Sequence, residues 1–250
     1  MLIGRRELLA SAVVSALHVR ELRAQTQPSA DIRPGERALG LGSDRDGLIY
    51  VPANYKAGTP MPLVVLLHGA GGNCYSARSR FPLADELGFI ILAPDSRDER
   101  TWDELLGAFG PDQEFIAASL SEVLGKLSVD RRHVALAGVS DGASYALSLG
   151  VGNGDIFTHL IAFSAAFVLP QRVRGKPRIF ISHGTGDPVM PIATTGRDVV
   201  RRLTKLGYDV TYREFAGGHT VPPAIAREAF EWFADRSSAR LWSRHQGERT

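Results

Sequence analysis

His133-Val134-Ala135-Leu136-Ala137-Gly138-Val139-Ser140-Asp141-Gly142 decides how this chain is read. An apolar run without polar alternation suits a strand covered on both faces, as in a parallel sheet. It ends in a G-x-S-x-G pentapeptide, Gly138 to Gly142, and a helix-compatible segment starts at Asp141. A serine at the tip of such a strand-to-helix turn sits in a strained backbone conformation, so its close neighbours must be small. Gly138 and Gly142 supply that room. The helix start also leaves N–H groups without intrahelical partners beside the hydroxyl, where an anion would be stabilised. Ser140 is therefore the candidate nucleophile.

Further apolar runs flank this one. Leu63–Leu67 stops at His68-Gly69, Phe89–Ala93 stops at Pro94-Asp95, and His159–Phe163 and Arg178–Ser182 follow. Val210–Phe215 alternates and reads as an edge strand. Arg37–Gly42 and Leu48–Val51 read as an antiparallel lead-in around a turn at Ser43–Gly47. Helical periods lie between the runs. Ile116, Leu120, Val123, Leu124 and Leu127 share a face behind Gly110-Pro111-Asp112. Ile192, Val199, Val200, Leu203 and Leu206 do so ahead of Gly207 as a C-terminal cap. Pro222-Pro223 opens a last helix with Ile225, Ala229, Trp232 and Phe233 facing inward. Strands alternating with helices predict a doubly wound, mostly parallel α/β sheet.

A serine hydroxyl needs a base to take its proton, and histidine suits that role near neutrality. Of seven histidines, His133 and His159 begin strands, the wrong end for a site at the carboxyl edge. His18 and His245 lie in terminal segments, and His68 precedes Ser140 in the chain and is expected to hold its loop. His183 and His219 follow Ser140 at strand ends, and His219 leaves room for an acid between. Asp187, just past the Arg178–Ser182 run, is the candidate acid, with Asp155 and Asp209 as rivals. A buried carboxylate there would fix the imidazole tautomer. Two backbone N–H donors are needed for an oxyanion. One is expected from Asp141 and one from Ala70 in His68-Gly69-Ala70-Gly71-Gly72, with Gly69 and Gly71 as alternatives. Trp102 and Met190 are candidate walls of a substrate pocket, and Cys74 reads as a passive thiol.

The 250 residues are 44% hydrophobic and 22% charged, which argues against disorder and coiled coil. One cysteine excludes an intramolecular disulfide and a cysteine-based metal cluster. A net charge of +2 from 29 basic and 27 acidic residues gives no footprint for nucleic acid. At the start, Arg5-Arg6 precede the apolar run Leu8–Leu17, too short to span a bilayer. Residues 1–24 are therefore expected to be an export signal, similar to a bacterial twin-arginine signal, directing the chain to the periplasm or outside. Gly4, where Ser or Thr is usual, and the poor cleavage site Leu22-Arg23-Ala24 depart from that pattern. Residues 25–236 are expected to form a single catalytic domain, and 237–250 a polar tail.

Taken in order, these residues resemble the α/β-hydrolase superfamily, and within it the phospholipase/carboxylesterase and polyhydroxybutyrate-depolymerase-like esterases. The carrying segments are Tyr50-Val51-Pro52, Leu66–Gly72, Ala93-Pro94-Asp95, Asp112–Ile116, the Ser140 turn, His183–Val189 and Gly218-His219. The resemblance implies a serine esterase with a Ser140–His219–Asp187 triad, no cofactor or metal, no large cap domain, and a small or polymer-tethered ester as substrate. A polyhydroxyalkanoate depolymerase or feruloyl-type esterase is the alternative with the same residues. A non-catalytic hydrolase-fold binding protein is the alternative of another class. Relatives often carry Gln or Asn where Asp141 stands, which leaves substrate choice open.

Overall fold

Apolar runs without alternation need cover on both faces, and each becomes a covered strand of one sheet. The computed structural model describes residues 32–103 and 110–235. The expected export signal, the polar tail, His18 and His245 lie outside the described residues. The strands are β1 (Gly35–Ala38), β2 (Gly47–Val51), β3 (Met61–Leu67), β4 (Ile90–Pro94), β5 (Val129–Val139), β6 (His159–Phe163), β7 (Arg178–Gly184) and β8 (Val210–Phe215). The helices are α1 (Phe81–Leu87), α2 (Pro111–Lys126), α3 (Asp141–Gly152), α4 (Gly196–Lys205) and α5 (Pro223–Ala234). One eight-stranded sheet runs in the order β1-β2-β4-β3-β5-β6-β7-β8. The strands from β3 to β8 pair in parallel, and β2 runs antiparallel to β1 and β4.

Alternate side chains feed two apolar layers. Leu63, Val65, Leu67 and Leu136 pack with Val123 of α2, Leu149 of α3 and Leu203 of α4. Val64, Leu66, Ala135 and Ala137 face the other way, onto Ala84 of α1 and Phe230 and Phe233 of α5. Each fully buried aliphatic side chain contributes about 1.5–3 kcal/mol, so cover on both faces drives this assembly. No helix among the described residues is long and apolar enough to cross a membrane.

The strand order places the site. β3 and β5 are neighbours, yet the chain leaves β3 toward β4 on one side and β5 toward β6 on the other. Such a reversal opens a crevice at the carboxyl ends of the two strands. The glycine loop after β3 and Ser140 after β5 both border it.

Several boundaries differ from the sequence pattern: β1 ends at Ala38 rather than Gly42, because the N–H groups of Gly40, Leu41 and Gly42 turn onto the Asp46 carboxylate. β5 starts at Val129, ahead of its apolar run, because Met61 pairs with Val129 across a register irregularity. Exposed Arg131 and Arg132 are carried in that extension. α4 starts at Gly196, so buried Ile192 precedes the helix. Thr195 Oγ donates to the Pro191 carbonyl (2.9 Å) and turns the chain there. Gly207, at φ +74°, ends the helix as expected.

His133, inside β5, and His159, at the amino end of β6, form a buried layer under α5. Their rings lie 4.9 Å apart, and Phe233 sits 4.5 Å from the first. Burial, and then the charges of His133 and Arg178, push His159 down to about 3. The folded chain keeps this ring neutral, whereas the unfolded chain protonates it near 6.5. The stability tied to the neutral ring is thus complete above about pH 6.5 and is lost as pH falls toward 3. One such ring costs about 2 kcal/mol by pH 5, and the melting temperature should fall by several degrees between pH 7.5 and pH 5. An unchanged melting temperature over that range would contradict this reading.

Candidate active site

The strand-to-helix turn has the strained geometry that its sequence predicts. Ser140 sits at φ +57° and ψ −120°, a region L-residues rarely occupy. Its N–H donates to the Phe163 carbonyl (2.8 Å), which ties the turn to β6. A Cβ at Gly138 would lie 2.1 Å from the Gly142 carbonyl oxygen. One at Gly142 would lie 2.3 Å from the carbonyl oxygen of His68. Both neighbours are backbone, so any larger residue would force the turn open.

Two further loops converge on the serine. The loop after β7 carries Asp187 and the loop after β8 carries His219. Gly186 N–H donates to the Gly217 carbonyl (2.9 Å) and Thr185 N–H to the Phe215 carbonyl (2.9 Å), bracing one loop against the other. A Cβ at Gly184 would stand 2.3 Å from the Gly218 carbonyl oxygen, so only glycine permits this approach. The result is a continuous chain of hydrogen bonds. His219 Nδ1 lies 2.7 Å from Asp187 Oδ2, and His219 Nε2 lies 2.9 Å from Ser140 Oγ. A carboxylate only accepts, so Nδ1 carries the proton and Nε2 faces the hydroxyl with its lone pair.

Asp187 is buried, and its Oδ1 accepts from the N–H groups of Val189 and Met190, each at 2.9 Å. Burial pushes this carboxyl upward. The donors from Met190, His219 and Val189 together outweigh it and hold Asp187 below the usual carboxylate range. The rivals lie elsewhere: Asp155 pairs with Arg174 (3.3 Å) and Asp209 with Arg178 (3.2 Å).

The glycine loop lies against the serine, since a Cβ at Gly69 would stand 3.4 Å from Ser140 Cβ. Gly71 N–H donates to the Arg100 carbonyl (2.7 Å) and Gly72 N–H to the Gly69 carbonyl (3.0 Å), so neither is free for a ligand. Asp141 is the first residue of α3, where an N–H has no intrahelical partner. His68 is buried, with Nδ1 donating to the Gly69 carbonyl (2.8 Å) and Nε2 accepting from Ser96 N–H (3.1 Å). Burial lowers its pKa, and the two bonds fix the loop, the part expected of this ring.

The profile of the Esterase PHB depolymerase family matches residues 47–173. The chain belongs to that family. Two curated relatives, "Probable feruloyl esterase C" of Aspergillus oryzae and of Aspergillus flavus, are each 26% identical over 158 residues. The match covers 60% of this chain and 57% of each relative, so the chain spans little more than half of their length. Among solved structures, esterase PE8 superposes with a TM-score of 0.63 at 22% identity, over 74% of this chain and 96% of its own. The ferulic acid esterase of Anaeromyces mucronatus, in complex with ferulic acid, gives 0.63 at 19%, over 84% and 93%. A fluorophosphonate-binding serine hydrolase of Staphylococcus aureus gives 0.65 at 14%, over 82% and 100%. The architecture is thus the α/β-hydrolase fold. Of the two esterase groups that the sequence resembles, the polyhydroxybutyrate type is the one matched. The matched span includes the glycine loop and Ser140 but ends before Asp187 and His219.

In this family member the expectation for Trp102 needs correction. Trp102 has no exposed surface and cannot wall an open pocket. Its Nε1–H donates to the His68 carbonyl (2.9 Å), and its ring packs between His68 and Tyr145, bracing the glycine loop from below. Met190 is half-buried, and its backbone serves the site, its N–H donating to Asp187. Cys74 is buried, and burial followed by the charge of Asp95 pushes its thiol up to about 12, which keeps it unreactive at neutral pH.

Other supports are invisible to sequence reading. Asp141 Oδ2 accepts from Thr101 Oγ (2.8 Å), linking the turn to the segment after β4. Arg45 donates to the Gly72 carbonyl (3.0 Å) and to Ser96 Oγ (3.2 Å) beneath the glycine loop. Asp103 accepts from the N–H of Gly110 and of Asp112, and Asp112 accepts from Asp103 N–H (2.7 Å). Asp141, Gly72 and Asp112 stood within segments of the family resemblance, whereas Thr101, Arg45 and Asp103 did not.

Proposed function

We propose that the chain is a carboxylic ester hydrolase that forms an acyl-enzyme on Ser140. The observation that carries this is the continuous Asp187–His219–Ser140 chain, at 2.7 and 2.9 Å, ending on a strained serine. Ser140 Oγ attacks the ester carbonyl carbon while its proton passes to His219 Nε2. The N–H groups of Asp141 and Ala70 receive the oxyanion. The tetrahedral adduct collapses, its C–O bond breaks, and His219 returns the proton to the departing alcohol. Water then attacks the acyl-Ser140 carbonyl, giving its proton to His219, and the acid leaves as Ser140 regains the proton. Asp187 stays ionised throughout and orients the imidazole.

The family and the two relatives named as feruloyl esterases favour a bulky acyl or alcohol group. The described sheet has no insertion long enough for a separate cap, which agrees with an open site for a polymer-tethered ester. We also read residues 1–24 as the export signal that would bring the enzyme to such a substrate. Purified protein should hydrolyse p-nitrophenyl acetate and should release ferulate from methyl ferulate or acid from 3-hydroxybutyrate oligomers. No rate above the buffer background on any of these esters would refute the proposal.

A further inference from the structure

Asp187 has a second imidazole partner. His183, near the end of β7, is fully buried. Its Nε2 lies 2.8 Å from the Met190 carbonyl oxygen and 3.3 Å from Asp187 Oδ2, the same oxygen that His219 reaches. A carbonyl only accepts, so Nε2 carries the proton and donates it to the Met190 oxygen, with Asp187 Oδ2 in close electrostatic contact beside it. Nδ1 then keeps its lone pair, and this buried atom has no hydrogen-bond partner. It faces α4 so closely that a Cβ at Gly196 would stand 2.5 Å away. Glycine at the start of α4 is thus what lets the ring occupy this place.

We infer that His183 is a positioning residue that locks the Asp187 carboxylate and the 187–190 turn in the orientation His219 requires. The inference rests on the triad reading given above. An ionised carboxylate has about four acceptor sites. The N–H groups of Val189 and Met190 take Oδ1, His219 takes Oδ2, and the His183 N–H edge stands 3.3 Å from Oδ2. Three hydrogen bonds and this contact hold the carboxylate in one orientation. The same Nε2–H holds the Met190 carbonyl, and Met190 N–H holds Oδ1, so the imidazole closes the turn at both ends. Without it the turn loosens, and a displacement near 1 Å at such a contact costs up to about 10²-fold in rate.

The test is steady-state hydrolysis of p-nitrophenyl acetate by His183→Phe, which removes the donor and keeps a ring, and by His183→Gln, whose amide N–H reaches the Nε2 position. His183→Phe should lower kcat by about 10–100-fold with KM within about threefold. His183→Gln should regain most of the loss. In an Asp187→Ala background the Phe change should cost nothing further, since the group it positions is gone. If His183→Phe fails to fold, His183→Met takes its place under the same requirements. A wild-type kcat for the donorless variant, or an equal loss with and without Asp187, overturns the inference. Ser140→Ala, run alongside, separates the two readings. Activity that survives Ser140→Ala refutes the triad. Activity lost there but untouched by His183→Phe refutes only the role of His183.

Discussion

Ser140→Ala should lower kcat by about 10⁴–10⁶-fold while leaving the fold intact. The hydroxyl is the only group removed, and it is the acceptor of the acyl group in the proposed cycle. The donors proposed at Asp141 and Ala70 remain, so about 10³–10⁴-fold over the uncatalysed reaction should persist. Alanine occupies the same φ of +57° at the same steric cost as serine, and the Ser140 N–H bond to the Phe163 carbonyl is backbone. The melting temperature should therefore stay close to wild type. Circular dichroism and p-nitrophenyl ester kinetics on one preparation check both halves. A loss below about tenfold would remove Ser140 from the mechanism.

Asp187→Asn should cost about 10⁴-fold in kcat, through the tautomer of His219. The surroundings dictate how the amide must sit. Oδ1 accepts two backbone N–H groups, so the amide oxygen has to take that place. The NH₂ is then driven to the Oδ2 place, facing His219 Nδ1 and His183 Nε2. Donor would meet donor unless His219 moves its proton to Nε2. In that tautomer it offers no lone pair to Ser140 Oγ and is no longer a base. Substrate contacts are untouched, so KM should change little. A kcat within tenfold of wild type would show that the carboxylate does not set the tautomer.

Much of this was legible in the sequence, for physical reasons. Strands covered on both faces write themselves as unbroken apolar runs, and β3, β4, β6 and β7 were readable that way. The polar start of β5 was not, because its pairing is imposed by Met61 across the sheet. Ser140 was readable because Gly138 and Gly142 are steric necessities of the turn. His219 and Asp187 were readable through chain order and strand ends. Trp102 was misread, since an indole carries no sign of whether it faces a cleft or a carbonyl such as that of His68. His183 stood beside His219 as a candidate, but its contact with Asp187 arises from the shape of one turn. Thr101, Arg45 and Asp103 meet the site only through tertiary contacts, which no local pattern encodes.

In the proposed cycle one oxygen, Ser140 Oγ, is made nucleophilic by His219. Labelling the native protein with a fluorophosphonate and mapping the adduct by peptide mass spectrometry tests this most directly. A single adduct on Ser140, absent from the His219→Ala chain over the same period, is the predicted result. Labelling of a different side chain, or equal labelling of Ser140 without His219, would contradict it.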